Sequence, residues 1–203
     1  MSSLKREALA ACRKALVELG FRKRGGSLLR DDGEGASGWI GLNVATYGLP
    51  ASLGVNPVVG VRFDRLDEVM RALRDDLPKE PMPVISRPLG YLMPENSFRL
   101  WEFRQGRDVQ SVAESMARAV SEYGEPFMKK YSEWVNFSRD LEAPGLLMEH
   151  ERAKVLPVVR ALDGRVEVAR GVVADELARI SGMSDVYAQS YRAFAEKFLD
   201  RFE

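Results

Sequence analysis

The stretch Gly38-Trp-Ile-Gly-Leu-Asn-Val-Ala-Thr-Tyr47 alternates between two unlike rows, and its reading decides the fold. Ile40, Leu42, Val44 and Thr46 fall on one face, with Trp39, Gly41, Asn43, Ala45 and Tyr47 on the other, the period-2 pattern of an antiparallel strand with unequal faces. The aliphatic face calls for a layer of helices. Residues 21–30 and 55–63 have strand composition and turn-forming neighbours, so 38–47 is expected to be the middle strand of a three-stranded meander. Within the first flank Gly25-Gly26 marks a bulge or bend, and in the last Asn56-Pro57 marks a strand start or an edge.

Working outward, Leu4, Ala8, Ala11, Cys12, Ala15, Leu16 and Leu19 recur at helical spacing, with Ser2 or Ser3 available as a cap and Gly20-Phe21 as a Schellman-type end. Asp64 caps a short helix carrying Leu66, Val69, Met70, Leu73 and Leu77 and stopped by Pro78. Pro78, Pro81, Pro83, Pro88 and Pro94 exclude a long helix, leaving extended chain, a short strand near 84–86 and a second strand candidate at 98–103. From Asp108 the pattern is helical: one helix ending at Gly124, an aromatic-rich one from Pro126, then helices near 149–162, 166–180 and 185–202. Strands segregated from helices predict an α+β fold: an N-terminal helix, an antiparallel meander sheet and a helical C-terminal half. The expected division is 1–105 for the helix and sheet and 106–203 for the helical part, the two packing together.

Thirty basic residues balance thirty acidic ones, so no global field draws in nucleic acid or an anionic membrane. Cys12 and His150 are the sole cysteine and histidine, which excludes an intrachain disulfide and a zinc site built from these residue types. The polar, charged opening and the lack of a long apolar run predict a cytoplasmic protein without a membrane span.

The run Leu19-Gly-Phe-Arg-Lys-Arg-Gly-Gly-Ser-Leu-Leu-Arg30, after an amphipathic helix and before a strand, resembles the opening of a bacterial family known as domain of unknown function 4304. Tyr123-Gly-Glu-Pro-Phe127, with Tyr131 and Ser132, is similar to a helix junction of that family. The resemblance implies an α+β fold over much of 4–141 and brings no catalytic residue with it.

Arg22, Lys23, Arg24 and Arg30 around Gly25-Gly26 form the sharpest local feature, readable as a charged edge strand or as an anion or partner contact. Trp39, Asn43 and Tyr47 define a sheet face expected to be covered by C-terminal helices or else open as a groove. Glu149-His150-Glu151 makes a poor chelate because helix neighbours diverge by about 100°. Cys12 on an apolar stripe reads as a buried structural thiol, and Glu95 and Glu102 are two of many carboxylates without a partner nucleophile. No catalytic, cofactor or metal motif emerges. The expected function is therefore non-catalytic binding of another protein, as an immunity or regulatory module, with a nucleic-acid or phosphate ligand on the basic strand and a carboxylate-dependent enzyme as alternatives.

Overall fold

The computed structural model describes residues 3–203 as an α+β chain that divides into two compact units, so the capping role suggested for Ser2 lies outside the described residues. One unit comprises the chain up to Phe63 with Lys79–Glu133, the other Asp64–Pro78 with Trp134–Glu203. The division does not fall at 105/106, because the helices that follow the last strand belong with the sheet.

The first unit holds an antiparallel sheet of six strands: β1 (Arg22–Arg24), β2 (Ser27–Gly33), β3 (Ala36–Ala45), β4 (Ser52–Phe63), β5 (Ile85–Pro88) and β6 (Trp101–Arg104). Gly25-Gly26 is a hairpin turn between β1 and β2 rather than a bulge within one strand, since Arg24 pairs with Ser27. The hub is β4, not the stretch at 38–47. Along one side β4 pairs with β3 from Gly54 to Phe63; along the other it carries β6 at Ser52–Val55 and β5 at Val58–Val61. Pro57, expected at a strand start or an edge, sits in the middle of this strand. It is tolerated because positions 56 and 57 lie in the gap between β6 and β5, where no ladder donor is needed.

Alternation along β4 sorts the two faces. Leu53, Val55, Val59, Val61 and Phe63 are buried with Leu28, Ile40, Ile85, Trp101 and Phe103, their register partners' side of the sheet. Helices α1 (Ser3–Glu18), α3 (Val109–Ala119) and α4 (Glu125–Ser132) pack on this aliphatic face. A π-helical turn, Val120–Gly124, joins α3 to α4 without a break. Gly124 is not the helix stop its sequence suggests. It packs close against the sheet, since a Cβ there would lie 3.1 Å from Val59 Cγ1.

The opposite face is covered by irregular chain. The proline-rich segment after Pro78 crosses Trp39, whose indole N–H donates to the Pro81 carbonyl at 3.0 Å. Gly60, paired with Trp39, makes room for it: a Cβ there would lie 2.5 Å from the Ile85 carbonyl oxygen and 2.7 Å from Pro83 Cβ.

The second unit consists of α2 (Asp64–Leu73), α5 (Trp134–Asp140), α6 (Glu149–Leu162), α7 (Val166–Arg179) and α8 (Val186–Arg201). An aromatic ladder, Tyr187, Tyr191, Phe194, Phe198 and Phe202, runs along α8 with consecutive ring centroids 4.8–5.9 Å apart. Pro157 lies inside α6 and is buried, so it neither starts nor ends that helix. Arg74 donates to Asp76 at 2.7 Å and to Glu151 at 2.6 Å, and the buried Lys154 ammonium donates to Ser190 at 2.8 Å. No helix among the described residues is long and apolar enough to cross a membrane.

Two outcomes are expected. Gly60→Ala should lower stability by about 1–3 kcal/mol in urea denaturation through overpacking, whereas Gly26→Ala, with nothing within 4 Å of the added methyl, should change it by less than about 0.5 kcal/mol. The Arg74 hydrogen bond holds the Asp76 carboxyl at about 2, below its ordinary 3.8, so its contribution is present above pH 4 and is lost as pH falls towards 2. Asp76 is more than half exposed, which keeps that contribution within about 1 kcal/mol. Thermal melts of Asp76→Asn and the parent chain should differ near neutrality and converge at the acid end.

Candidate functional site

The outer face of the sheet is left open at the end of β3 and β4 away from the Pro81 crossing. Tyr47 stands on the β3–β4 connection, where Leu49 N–H donates to the Thr46 carbonyl at 3.1 Å and Ser52 N–H to the Gly48 carbonyl at 2.8 Å. The turn fixes the backbone while the tyrosine side chain projects: Tyr47 is 85% exposed. On the far side of β4, Leu100 lies over Gly54, whose added Cβ would meet Leu100 Cδ1 at 3.0 Å. Asn56, buried in the gap between β5 and β6, donates its amide to the Arg99 carbonyl at 2.7 Å and ties this segment to the sheet.

Tyr47, Ser52, Leu53, Gly54, Leu100 and Glu102 thereby line a groove of about 210 Å³. Small residues make its floor and larger ones its walls. Phe98, two residues before Leu100, is 60% exposed. Glu102 is held by Arg104 at 2.9 Å, so the groove carries an aromatic group, an aliphatic group and a neutralised carboxylate, which suits shape-based docking rather than proton transfer.

The expected site residues separate. Trp39 lies on the same face as Asn43 and Tyr47 but is buried under the proline-rich segment, while Asn43 remains exposed. Arg22, Lys23 and Arg24 form the outermost strand and are all exposed. Arg30 is not with them. Its guanidinium stacks 4.7 Å from the Phe21 ring centroid and binds Asp32 at 3.0 Å and Glu125 at 2.5 Å. Burial opposes its charge, but those two carboxylates more than compensate and raise its pKa. With Ser121 on Glu125 and Ser132 on Asp32, the arrangement ties α4 to the β2–β3 hairpin beside a cleft of about 710 Å³, and leaves Arg30 already neutralised.

In the helical unit His150 and Glu149 line a cleft of about 770 Å³ with Asp175, Glu176, Arg179 and Tyr187. Three of its polar groups satisfy one another: Glu176 takes both Arg179, at 2.7 Å, and the Tyr187 hydroxyl, at 2.5 Å. Glu95 and Glu102 each face their own arginine, at 3.9 and 2.9 Å. Among the described residues no group of three or more His, Cys, Asp and Glu side chains is placed to hold a metal ion.

Leu100, Gly54 and Phe98 were not among the expected site residues. The signal lay in Phe98-Arg-Leu-Trp-Glu-Phe103, which is apolar on both faces of one short strand although only one face can meet the helices. Compared with known proteins, the chain matches no family model, no curated protein and no solved structure.

Cys12 is buried, and desolvation pushes its thiol up to about 12. The native protein should therefore resist iodoacetamide at pH 8 and become labelled only in denaturant, with mass spectrometry as the readout. Rapid labelling of the folded chain would show a reactive thiol.

Proposed function

We propose that this chain is a non-catalytic binding protein that engages a partner protein in the cytoplasm, in the manner of an immunity or regulatory module, through the open end of its sheet. One observation carries the reading: Tyr47, a large exposed aromatic side chain with no role in the core, lines a groove floored by Gly54, and Phe98, likewise exposed, lies two residues before the groove-lining Leu100. Aromatic residues at a firmly held concave surface are the usual anchors of protein interfaces. The likeness of Leu19–Arg30 to the domain of unknown function 4304 family fits this reading, since it brings no catalytic residue.

A second reading rests on Arg22, Lys23 and Arg24, whose three exposed cations suit an anionic partner such as nucleic acid. Tagged protein incubated with host lysate, with and without nuclease, separates the two. A stoichiometric protein partner that survives nuclease and is recovered at least tenfold less by Tyr47→Ala/Phe98→Ala is the expected result. The same variant should keep its stability within about 0.5 kcal/mol, because neither ring packs in the core. Unchanged recovery by the double variant would overturn the groove reading. Salt-sensitive nucleic acid lost on substituting Arg22 and Arg24 would favour the second.

A further inference from the structure

We propose that the partner adds a strand to β3, pairing along its open edge at residues 41–45; this inference rests on the partner-binding reading above and specifies its mode. The register gives the opening. β4 pairs with β3 from Ala36 to Ala45, but β2, on the other side, pairs only from Ala36 to Ile40. Beyond Ile40 the chain of β2 turns away through Gly25-Gly26 into β1. Residues 41–45 therefore have no ladder partner on that side among the described residues, and alternate backbone N–H and C=O groups face outward along about 17 Å of strand.

The other edges of the sheet are guarded and this one is not. β1 is Arg-Lys-Arg, β5 carries Arg87 and Pro88, and β6 carries Glu102 and Arg104. Charges and prolines are the usual means of keeping stray strands off an edge. Gly41-Leu-Asn-Val-Ala45 has neither. Leu42 and Val44 are half-buried on the helix side, Asn43 is exposed on the outer side, and Tyr47 follows at the end of the strand.

That composition defines the occupant: an extended segment of the partner protein, about five residues long, with apolar side chains at alternate positions. Its backbone completes the ladder, one row of side chains extends the Leu42 and Val44 row, and the other lies beside Asn43 towards Tyr47. A second copy of this chain offers only the same five residues before its own turn after Thr46, which falls well short of the roughly 1,200 Å² that a stable dimer buries.

The test uses the full chain and an array of fluorescein-labelled nonapeptides with valine, isoleucine or leucine at every second position. A subset should bind. For the best binder, N-methylation of one alternate set of amides should weaken binding at least tenfold while methylation of the other set leaves it unchanged. Asn43→Lys should weaken it at least tenfold with an unaltered melting temperature, and amide exchange within 41–45 should slow at least tenfold on binding. The inference is overturned if no peptide in the array binds, if both methylated sets bind alike, or if the outward-facing amides of Leu42 and Val44 in the free protein exchange as slowly as those of 38–40. A concentration-dependent dimer that protects the same amides without peptide would overturn it in favour of a second copy. Lysate partner recovery that falls with Tyr47→Ala/Phe98→Ala but not with Asn43→Lys would leave the groove reading standing and remove strand addition alone.

Discussion

Everything in the sheet unit depends on β4 serving three strands at once. A strand of twelve residues is long enough to carry β6 at Ser52–Val55 and β5 at Val58–Val61, with β3 running along Gly54–Phe63 on its other side. Strict alternation then does the rest. Odd positions from Leu53 to Phe63 supply the buried row on which α1, α3 and α4 rest, and the even positions Ser52, Gly54, Asn56 and Gly60 are small or polar, so that loops can lie against the outer face. The junction between β5 and β6 leaves one stretch of β4 without ladder partners on that side. A proline and a buried asparagine occupy it, the first lacking a donor and the second supplying one sideways to Arg99.

Local periodicity reached what local rules govern. The two-row pattern of 38–47, the amphipathic helices and the segregation of strands from helices were legible because each follows from which side chains must leave water. The readings that failed depended on distant partners. Whether Pro57 starts a strand or marks an edge depends on what lies beside it, and the gap there is made by residues 85–88 and 101–104. Whether Gly124 stops a helix depends on Val59, against which it packs. Gly25-Gly26 permits either a bulge or a turn, and the pairing of Arg22 with Leu29 selects the turn.

The site was legible in the same uneven way. Tyr47 and Asn43 could be assigned to the outer face by alternation, but Trp39 shared that assignment and is buried, because the proline-rich segment happens to cross there and supply the Pro81 carbonyl for its indole. Arg30 looked like a fourth member of a basic group. Its neutralisation by Glu125, ninety-five residues away, has no local signature. Leu100 and Gly54 are informative only as a pair: one is a large residue on a face without helices, the other a missing side chain opposite it.

The two irregular segments that cover the outer face explain why binding surface remains at all. A helix laid across the sheet would have covered the face uniformly, whereas the segments at Pro81 and Arg99 each touch it at a few points, one fixed by the Trp39 indole and the other by Asn56. The uncovered area is the end of β3 with its Tyr47 turn, and that same end is where β2 has already turned away. Open face and open edge thus have different causes, cover and register, yet coincide on one stretch of chain. An extended segment added at the edge would present alternate side chains to the face beside it, so a single partner strand can use both.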